Sequence, residues 1–144
     1  MKVLFVCTGN TCRSPMAEVI FNEVYRNRHT SESRGLHARA GDIISPEALI
    51  ILNREYGYSE HRESQKLGQN DIVEADVIIT MTEGQKLEIA HQYGNDKLYT
   101  LKELAHETGD VMDPYGQDEL EYVRTFSEIR ELITKIELFK EDDN

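Results

Sequence analysis

The chain has 144 residues, a length that fits a single globular domain over residues 1–144 and that can bury a core without disulfide or metal staples. Hydrophobic residues make up 39% of it, and no apolar run approaches the roughly 20 residues of a membrane-spanning helix, so we expect no membrane partner. A formal net charge of -11 disfavours nucleic-acid binding, because phosphate backbones attract positive surfaces.

The cysteine content and the first residues indicate a cytoplasmic protein. Cys7 and Cys12 are the only cysteines and lie in one short segment, which is not the disulfide framework of a secreted protein. The apolar run over residues 3–6 is too short for the core of a signal peptide, and no cleavage pattern follows it. We therefore expect a reducing compartment and no export.

The first predicted elements are a strand and a helix joined by a short loop. The apolar run over residues 2–6 predicts a buried strand, and residues 8–10 favour a turn. Ser14 followed by Pro15 is typical of a helix start, because serine caps free backbone N–H groups and proline suits the first helical position. Apolar residues at helical spacing extend this helix to about Arg28.

The rest of the chain continues this alternation. Further strands are predicted over residues 31–40, 75–81 and 97–101. Further helices are predicted over residues 45–57, from residue 82 with Leu87 on its apolar face, and over residues 119–139 with Leu120 on its apolar face. Residues 141–144 are expected to fray. We predict a flavodoxin-like three-layer α/β/α fold with a central four-stranded parallel sheet.

Residues 7–14 follow the pattern C-x5-R-S and are predicted to bind phosphate. Successive backbone N–H groups in such a loop can point inward, and the helix N-terminus behind them adds partial positive charge. Gly9 and Asn10 suit the left-handed backbone angles of a tight turn. Arg13 offers a planar fork for two phosphoryl oxygens. The other residues expected to contact the phosphoryl group or wall the site are Thr8, Thr11, Cys12 and Ser14.

Cys7 is the predicted nucleophile. A thiol that faces backbone N–H groups, a helix N-terminus and an arginine is stabilised as a thiolate. The hydroxyl of Ser14 can donate to that thiolate and so ease the departure of sulfur from a phosphocysteine intermediate. Arg13 is then expected to stabilise the charge of the transition state.

Asp113 is the predicted general acid for the leaving group. Pro114 restricts Asp113 to extended backbone angles and stiffens the loop, so the carboxyl can be held toward the leaving atom. Tyr115 is expected to wall the cleft. An Asp-Pro pair alone is more typical of a turn, so this assignment depends on the cysteine loop.

These residues admit other interpretations. A metal site at Cys7 and Cys12 requires two further ligands, so we predict neither a metal nor a cofactor. A phosphoprotein-binding module, which captures phosphate without cleaving it, stays open but does not explain a thiol beneath the phosphate. His61 is interpreted as a structural hydrogen-bonding residue, not a base. The remaining histidines are predicted on the surface: His29, His37, His91 and His106.

The segment Val6–Glu18 closely resembles the signature of the low-molecular-weight protein phosphatase family, and Asp113-Pro114 resembles the acid motif of that family. Similar patterns extend over nearly the whole chain, at Ser33–Gly35, Glu60–Arg62, residues 75–81 and the closing helix. The resemblance implies a protein phosphatase that acts on phosphorylated protein side chains through a phosphocysteine.

The resemblance also implies how the loop is supported and which substrate it prefers. In this family Asn10 is held in a strained conformation by side chains that match Ser14, Ser33 and His61. The position of Thr11 carries isoleucine in most phosphotyrosine enzymes and threonine in bacterial protein-arginine phosphatases. A hydroxyl there narrows and polarises the wall, which disfavours a flat aromatic ring and accepts a guanidinium.

The resemblance therefore favours phosphoarginine, with phosphotyrosine as the alternative. The Asp113 carboxylate would then also orient the guanidinium by hydrogen bonds. Thiol-coupled arsenate reductases resemble this loop too, but they need two further cysteines, which this chain lacks. As a separate hypothesis, Cys12 can trap an oxidised Cys7 as a reversible disulfide. We expect a monomer.

Overall fold

The computed structural model, which describes residues 1–140, contains a four-stranded parallel sheet. Its strands are β1 Lys2–Cys7, β2 Thr30–Gly35, β3 Val77–Thr80 and β4 Leu98–Thr100, in the spatial order β2-β1-β3-β4. All neighbouring pairs are parallel, and Cys7 at the end of β1 lies opposite Gly35 at the end of β2. Residues 141–144, where we predicted fraying, lie outside the described residues.

Helices cover both faces of this sheet. They are α1 Arg13–Val24, α2 Pro46–Tyr56, α3 Gln69–Glu74, α4 Glu83–Tyr93, α5 Leu101–Leu104, α6 Glu119–Lys135 and α7 Glu137–Lys140. Alternate side chains of a strand point to opposite faces. Val3 and Phe5 pack with α1, α2 and α6, whereas Leu4 and Val6 pack with α3 and α4. The predicted flavodoxin-like three-layer fold is confirmed.

The start of α1 differs from the prediction. Its N-cap residue is Cys12 and not Ser14, and no side chain caps it. The Ser14 hydroxyl cannot act as the cap because it lies 2.9 Å from the sulfur of Cys7 and 2.8 Å from the amide nitrogen of Asn10. Pro15 is thus the third helical residue. The helix also ends at Val24, four residues earlier than predicted.

The closing helix is divided in two, where the sequence predicted one. The backbone of Ile136 is extended, at φ -72° and ψ 113°, and separates α6 from α7. Phe139 of α7 is fully buried, with its ring 4.9 Å from that of Phe21 and 5.5 Å from that of Tyr25. The break therefore lets the C-terminal turn fold back over the end of α1.

Some further residues depart from the predictions. His29 is buried, not on the surface, because its two ring nitrogens lie 3.0 Å from the N-terminal amine and 3.1 Å from the Phe139 carbonyl oxygen. Leu87 and Leu120, predicted on apolar helix faces, are 68% and 55% exposed. The helices α3 and α5 were not predicted, because they are too short to show a hydrophobic period.

Candidate active site

The predicted phosphate loop lies at the carboxyl end of β1, between the strand and α1. We call residues 7–14 the cradle. Since β1 has neighbours on both sides, the cradle is flanked by the ends of β2 and β3. In parallel α/β sheets, ligands bind outside the carboxyl ends of the strands, so the position suits a binding site.

The thiol of Cys7 is buried at the start of the cradle, where β1 ends. Cys7 is 2% exposed, and its sulfur lies 2.9 Å from the hydroxyl oxygen of Ser14. Ser14 is fully buried and also lies 3.4 Å from the carbonyl oxygen of Arg34. A hydroxyl at this distance can donate to a thiolate.

Asn10 has the left-handed backbone that the sequence predicted, with φ 57°. Its side-chain nitrogen donates to Ser14 Oγ at 2.8 Å and to Ser33 Oγ at 3.0 Å. Its side-chain oxygen accepts from the backbone N–H of Gln65 at 3.0 Å. The predicted support from Ser14 and Ser33 is therefore present.

The predicted support from His61 is wrong. His61 is exposed and lines a separate hollow near Leu49 and Asn53, away from the cradle. The neighbouring Arg62 takes the place expected for it: its guanidinium lies 3.4 Å from Ser33 Oγ and pairs with Glu18. The residue that contacts Ser33 is therefore one position later in this irregular segment than the sequence predicted.

Arg13 joins the cradle to the loop that carries the predicted acid. Its side chain is almost fully buried, and Nη1 donates to the carbonyl oxygen of Val111 at 3.0 Å. Nη2 lies 3.6 Å from Asp113 Oδ2. The guanidinium is thus held at one end, and its remaining donors can bind phosphoryl oxygens.

The acid loop, residues 111–116, lies at the open side of the cradle. The side chain of Asp113 is half exposed, and Oδ1 accepts from the backbone N–H of Tyr115 at 3.0 Å. Pro114 is buried, whereas Tyr115 is 67% exposed. The carboxyl is oriented by this turn but remains accessible to a leaving group.

Thr11 lines the cavity, whereas Cys12, which was predicted to wall the site, is buried and does not line it. The Cys12 sulfur lies 3.2 Å from the hydroxyl of Tyr122 and 3.4 Å from that of Ser45. Burial raises the pKa of the Cys12 thiol, and the charge of Asp113 adds to this, against the opposing hydrogen bonds. Cys7 and Cys12 are both free thiols with different partners, and a disulfide between them stays a prediction.

A cavity of about 800 Å³ opens above the cradle. The cradle contributes Thr8, Gly9 and Thr11 to its lining. The opposite walls come from the start of α2, the acid loop and Tyr122. The volume exceeds the needs of a phosphoryl group alone, so a side chain and part of a peptide can enter.

Sequence reasoning missed Gln85 and the role of Gly35. Gln85 is 6% exposed and donates to Thr8 Oγ1 at 3.1 Å, while its oxygen accepts from the backbone N–H of Met81 at 3.0 Å. The pattern Thr82-x-x-Gln85 is a capping box and was visible in the sequence. The contact of Gly35 with the cradle backbone was not visible, because it arises from strand pairing.

Within residues 1–140, no group of three or more His, Cys, Asp or Glu side chains is arranged to hold a metal ion. None of the helices in that range is long and apolar enough to cross a membrane.

Comparison with known proteins gives concordant matches. The family model described as low molecular weight phosphotyrosine protein phosphatase matches residues 2–141. The low molecular weight protein-tyrosine-phosphatase PtpB of Staphylococcus aureus is 42% identical over 137 residues, which cover 94% of this chain and 96% of that protein.

Two solved structures are similar along almost their whole length. A low molecular weight protein tyrosine phosphatase from T. tengcongensis is 40% identical with a TM-score of 0.88, and the match covers 94% of this chain and 96% of that one. The YwlE arginine phosphatase, solved as a cysteine-to-serine mutant with a phosphorylated active-site serine, is 35% identical with a TM-score of 0.89, over 98% and 95% of the two chains.

Proposed function

The chain belongs to the low molecular weight phosphotyrosine protein phosphatase family, and from that premise we propose that it dephosphorylates protein side chains through a phosphocysteine on Cys7, with phosphoarginine as the preferred substrate. The observation that carries the proposal is the arrangement of a thiol, an arginine and a carboxyl group at one site. The Cys7 thiol lies 2.9 Å from the Ser14 hydroxyl, Arg13 of the same loop is almost fully buried, and Asp113 lies 3.6 Å from that arginine.

In the first step, the Cys7 thiolate attacks phosphorus and forms a sulfur–phosphorus bond. The bond from phosphorus to the leaving nitrogen or oxygen breaks, and its electron pair goes to the leaving atom. The carboxyl of Asp113 gives that atom a proton. Arg13 and the backbone N–H groups of the cradle stabilise the negative charge on the equatorial oxygens.

In the second step, water attacks the phosphocysteine and the sulfur–phosphorus bond breaks. Asp113, now a carboxylate, takes a proton from the water. The electron pair returns to sulfur, and the Ser14 hydroxyl, 2.9 Å away, donates to the departing thiolate. The products are inorganic phosphate and the free enzyme.

Support for phosphoarginine comes from Thr11 and from the carboxylates around the cleft. Thr11 lines the cavity, where its hydroxyl makes the wall polar and can accept a hydrogen bond from a guanidinium. Asp42, Glu47 and Asp113 also line it, and their carboxylates can accept hydrogen bonds from a guanidinium. The similar YwlE protein is named an arginine phosphatase.

The proposal is tested by kcat/KM on matched peptides that carry phosphoarginine or phosphotyrosine. Wild type is expected to prefer phosphoarginine, and Thr11→Ile should shift the ratio toward phosphotyrosine by about tenfold or more, because it removes the polar wall. Thr108→Ile is the matched control, since Thr108 is exposed and lies outside the cavity lining.

Each other outcome has a definite meaning. An unchanged ratio in Thr11→Ile, or a wild-type preference for phosphotyrosine, contradicts the specificity and leaves the phosphatase assignment intact. No turnover of either peptide by freshly reduced wild type contradicts the catalytic proposal itself.

A further inference from the structure

We infer that Arg39 binds an acidic side chain that neighbours the phosphorylated residue, so that the preferred protein substrates carry Asp or Glu beside it. The inference rests on the proposed function and narrows its substrate class. It concerns the cavity above the cradle, whose lining contains two basic residues, His37 and Arg39.

Both residues belong to residues 36–45, which we call the crossing segment because its two ends bond to different residues of the cradle. At its start, the backbone N–H of His37 donates to the Thr8 carbonyl oxygen at 2.9 Å. At its end, the backbone N–H of Ser45 donates to the Thr11 carbonyl oxygen at 2.9 Å. Arg39 lies between these anchors and is therefore presented to the cavity by a segment that is fixed to the cradle on both sides.

Arg39 also begins a tight turn. The backbone N–H of Asp42 donates to the Arg39 carbonyl oxygen at 3.1 Å, and Gly41 in the third position of the turn has φ 92°, which favours glycine. The Asp42 carbonyl oxygen in turn accepts from the backbone N–H of Ser64 at 2.8 Å. Since these bonds already hold the backbone, a ligand of Arg39 has only the side chain to order.

The guanidinium of Arg39 is available to a ligand. Its side chain is exposed, and within residues 1–140 no side chain pairs with it, not even Asp42 at the other end of the same turn. The chain has 27 acidic residues and 16 basic ones, so a carboxylate partner is the common situation for a surface arginine here. Glutamates pair in this way with Arg26, Arg54, Arg124 and Arg130.

Charges of opposite sign occupy the two ends of the crossing segment. The basic residues His37 and Arg39 follow the anchor on Thr8, whereas Asp42 precedes the anchor on Thr11. The charge of His37 is compensated, because Nε2 lies 2.6 Å from Glu88 Oε2 of α4. Arg39 is thus the cation of this wall that a substrate can use.

A carboxylate is the ligand that suits this position. A guanidinium is a planar fork whose donors match the two oxygens of a carboxylate. In the proposed complex, Asp42 and Glu47 accept hydrogen bonds from the substrate guanidinium, which leaves Arg39 without a counter-charge. The net charge of -11 repels acidic peptides elsewhere on the surface, so an acidic neighbour is favoured only where a free cation faces it.

The experiment compares peptides that differ only by Glu or Gln at one position, from two residues before to two residues after the phosphorylated residue. Phosphoarginine and phosphotyrosine series are run in parallel, so the result does not depend on which of them the enzyme prefers. For at least one position, wild type should show a kcat/KM about fivefold higher on the Glu peptide, through a lower KM. The ratio should approach one in about 0.5 M salt, which screens exposed charges.

Variants of Arg39 locate the effect. Arg39→Gln should abolish the preference for Glu over Gln, and Arg39→Lys should keep part of it, because lysine retains the charge but not the fork. Arg39→Glu should reverse the preference, so that a Lys peptide becomes better than the Glu peptide. Lys66→Gln is the matched control and should keep the wild-type ratio, since Lys66 is exposed but lies outside the cavity lining.

Three results would contradict the inference: equal kcat/KM for Glu and Gln peptides at every position, a wild-type preference for Lys, or the same loss of preference in Lys66→Gln as in Arg39→Gln. Absence of turnover on all peptides counts against the proposed function instead. In that case the affinity of Cys7→Ser and of Cys7→Ser/Arg39→Gln for the same peptides still tests Arg39, and equal affinities of the two proteins for the Glu peptides would overturn its role.

Discussion

The cradle and the acid loop form two parts of one site but are held in different ways. Cys7 and Asn10 of the cradle are each 2% exposed, and their hydrogen-bond partners come from α1, β2 and residues 62–65. Asp113 of the acid loop is half exposed and contacts Arg13 and the backbone of Tyr115.

In the proposed reaction the two parts have different tasks, which accounts for the difference. The phosphoryl group is the same in every substrate, so donors fixed in advance stabilise its transition state at no cost of reorganisation. The leaving group varies with the substrate, so an accessible carboxyl on a less constrained loop can adjust to it. Arg13 belongs to both parts, because it is buried with the cradle and paired with Asp113.

The largest expected effect is that of Cys7→Ser, which separates chemistry from binding within the cradle. An alcohol in this environment is a much poorer nucleophile than a thiolate, so kcat should fall by at least about 10⁴-fold. The affinity for inorganic phosphate should change little, since the backbone donors and Arg13 remain. Parallel measurement of kcat and of the inhibition constant for phosphate checks this, and loss of both would mean that the cradle had collapsed.

The next effect is that of Asp113→Asn, which removes the acid and leaves the cradle intact. We expect kcat to fall about 10²-fold for phenyl phosphate, and less for para-nitrophenyl phosphate, whose leaving group needs less protonation. The midpoint of thermal unfolding should stay near wild type, because the side chain is half exposed. Equal losses on both substrates would contradict the role as general acid.

A smaller effect on activity, but a larger one on stability, is expected for Gly35→Ala. A Cβ at Gly35 would lie 2.8 Å from the Thr8 carbonyl oxygen and 2.9 Å from the Asn10 nitrogen, and these backbone atoms cannot move without disturbing the cradle. The free energy of unfolding should fall by about 1–3 kcal/mol. We expect kcat/KM to fall together with the free energy of unfolding, whereas Asp113→Asn should lower activity and leave stability unchanged.

Gly84→Ala is the control for this change. A Cβ at Gly84 would meet only the Thr82 hydroxyl at 3.8 Å, an ordinary contact in the first turn of α4. Chemical denaturation and kcat/KM of the two alanine variants should therefore separate clearly. If Gly35→Ala is as stable and as active as Gly84→Ala, the close packing of β2 against the cradle contributes neither to stability nor to activity.

The sequence predicted those parts of the site that are continuous along the chain. The whole of the cradle lies between one strand and one helix, so Cys7, Asn10 and Arg13 could be assigned from spacing alone. The four strands and the parallel sheet followed from their alternation with helices.

The contacts that no local pattern encodes were not predictable. The choice between His61 and Arg62 depends on the path of an irregular segment, and the clash at Gly35 depends on the register between β1 and β2. The break at Ile136 interrupts a hydrophobic period that continues through it, because α7 packs against α1 and not along the axis of α6. Tertiary contacts decided these features.

The central claim is the phosphocysteine, and the most direct test is to trap it. Asp113→Asn is mixed with para-nitrophenyl phosphate and quenched rapidly in denaturant, because this variant should form the intermediate and hydrolyse it slowly. The tryptic peptide of residues 3–13 contains both cysteines, so fragmentation must assign the modified one. We predict one phosphoryl group on Cys7 and none on Cys12. Consumption of substrate with no phosphoryl group on Cys7 at any time would contradict the account.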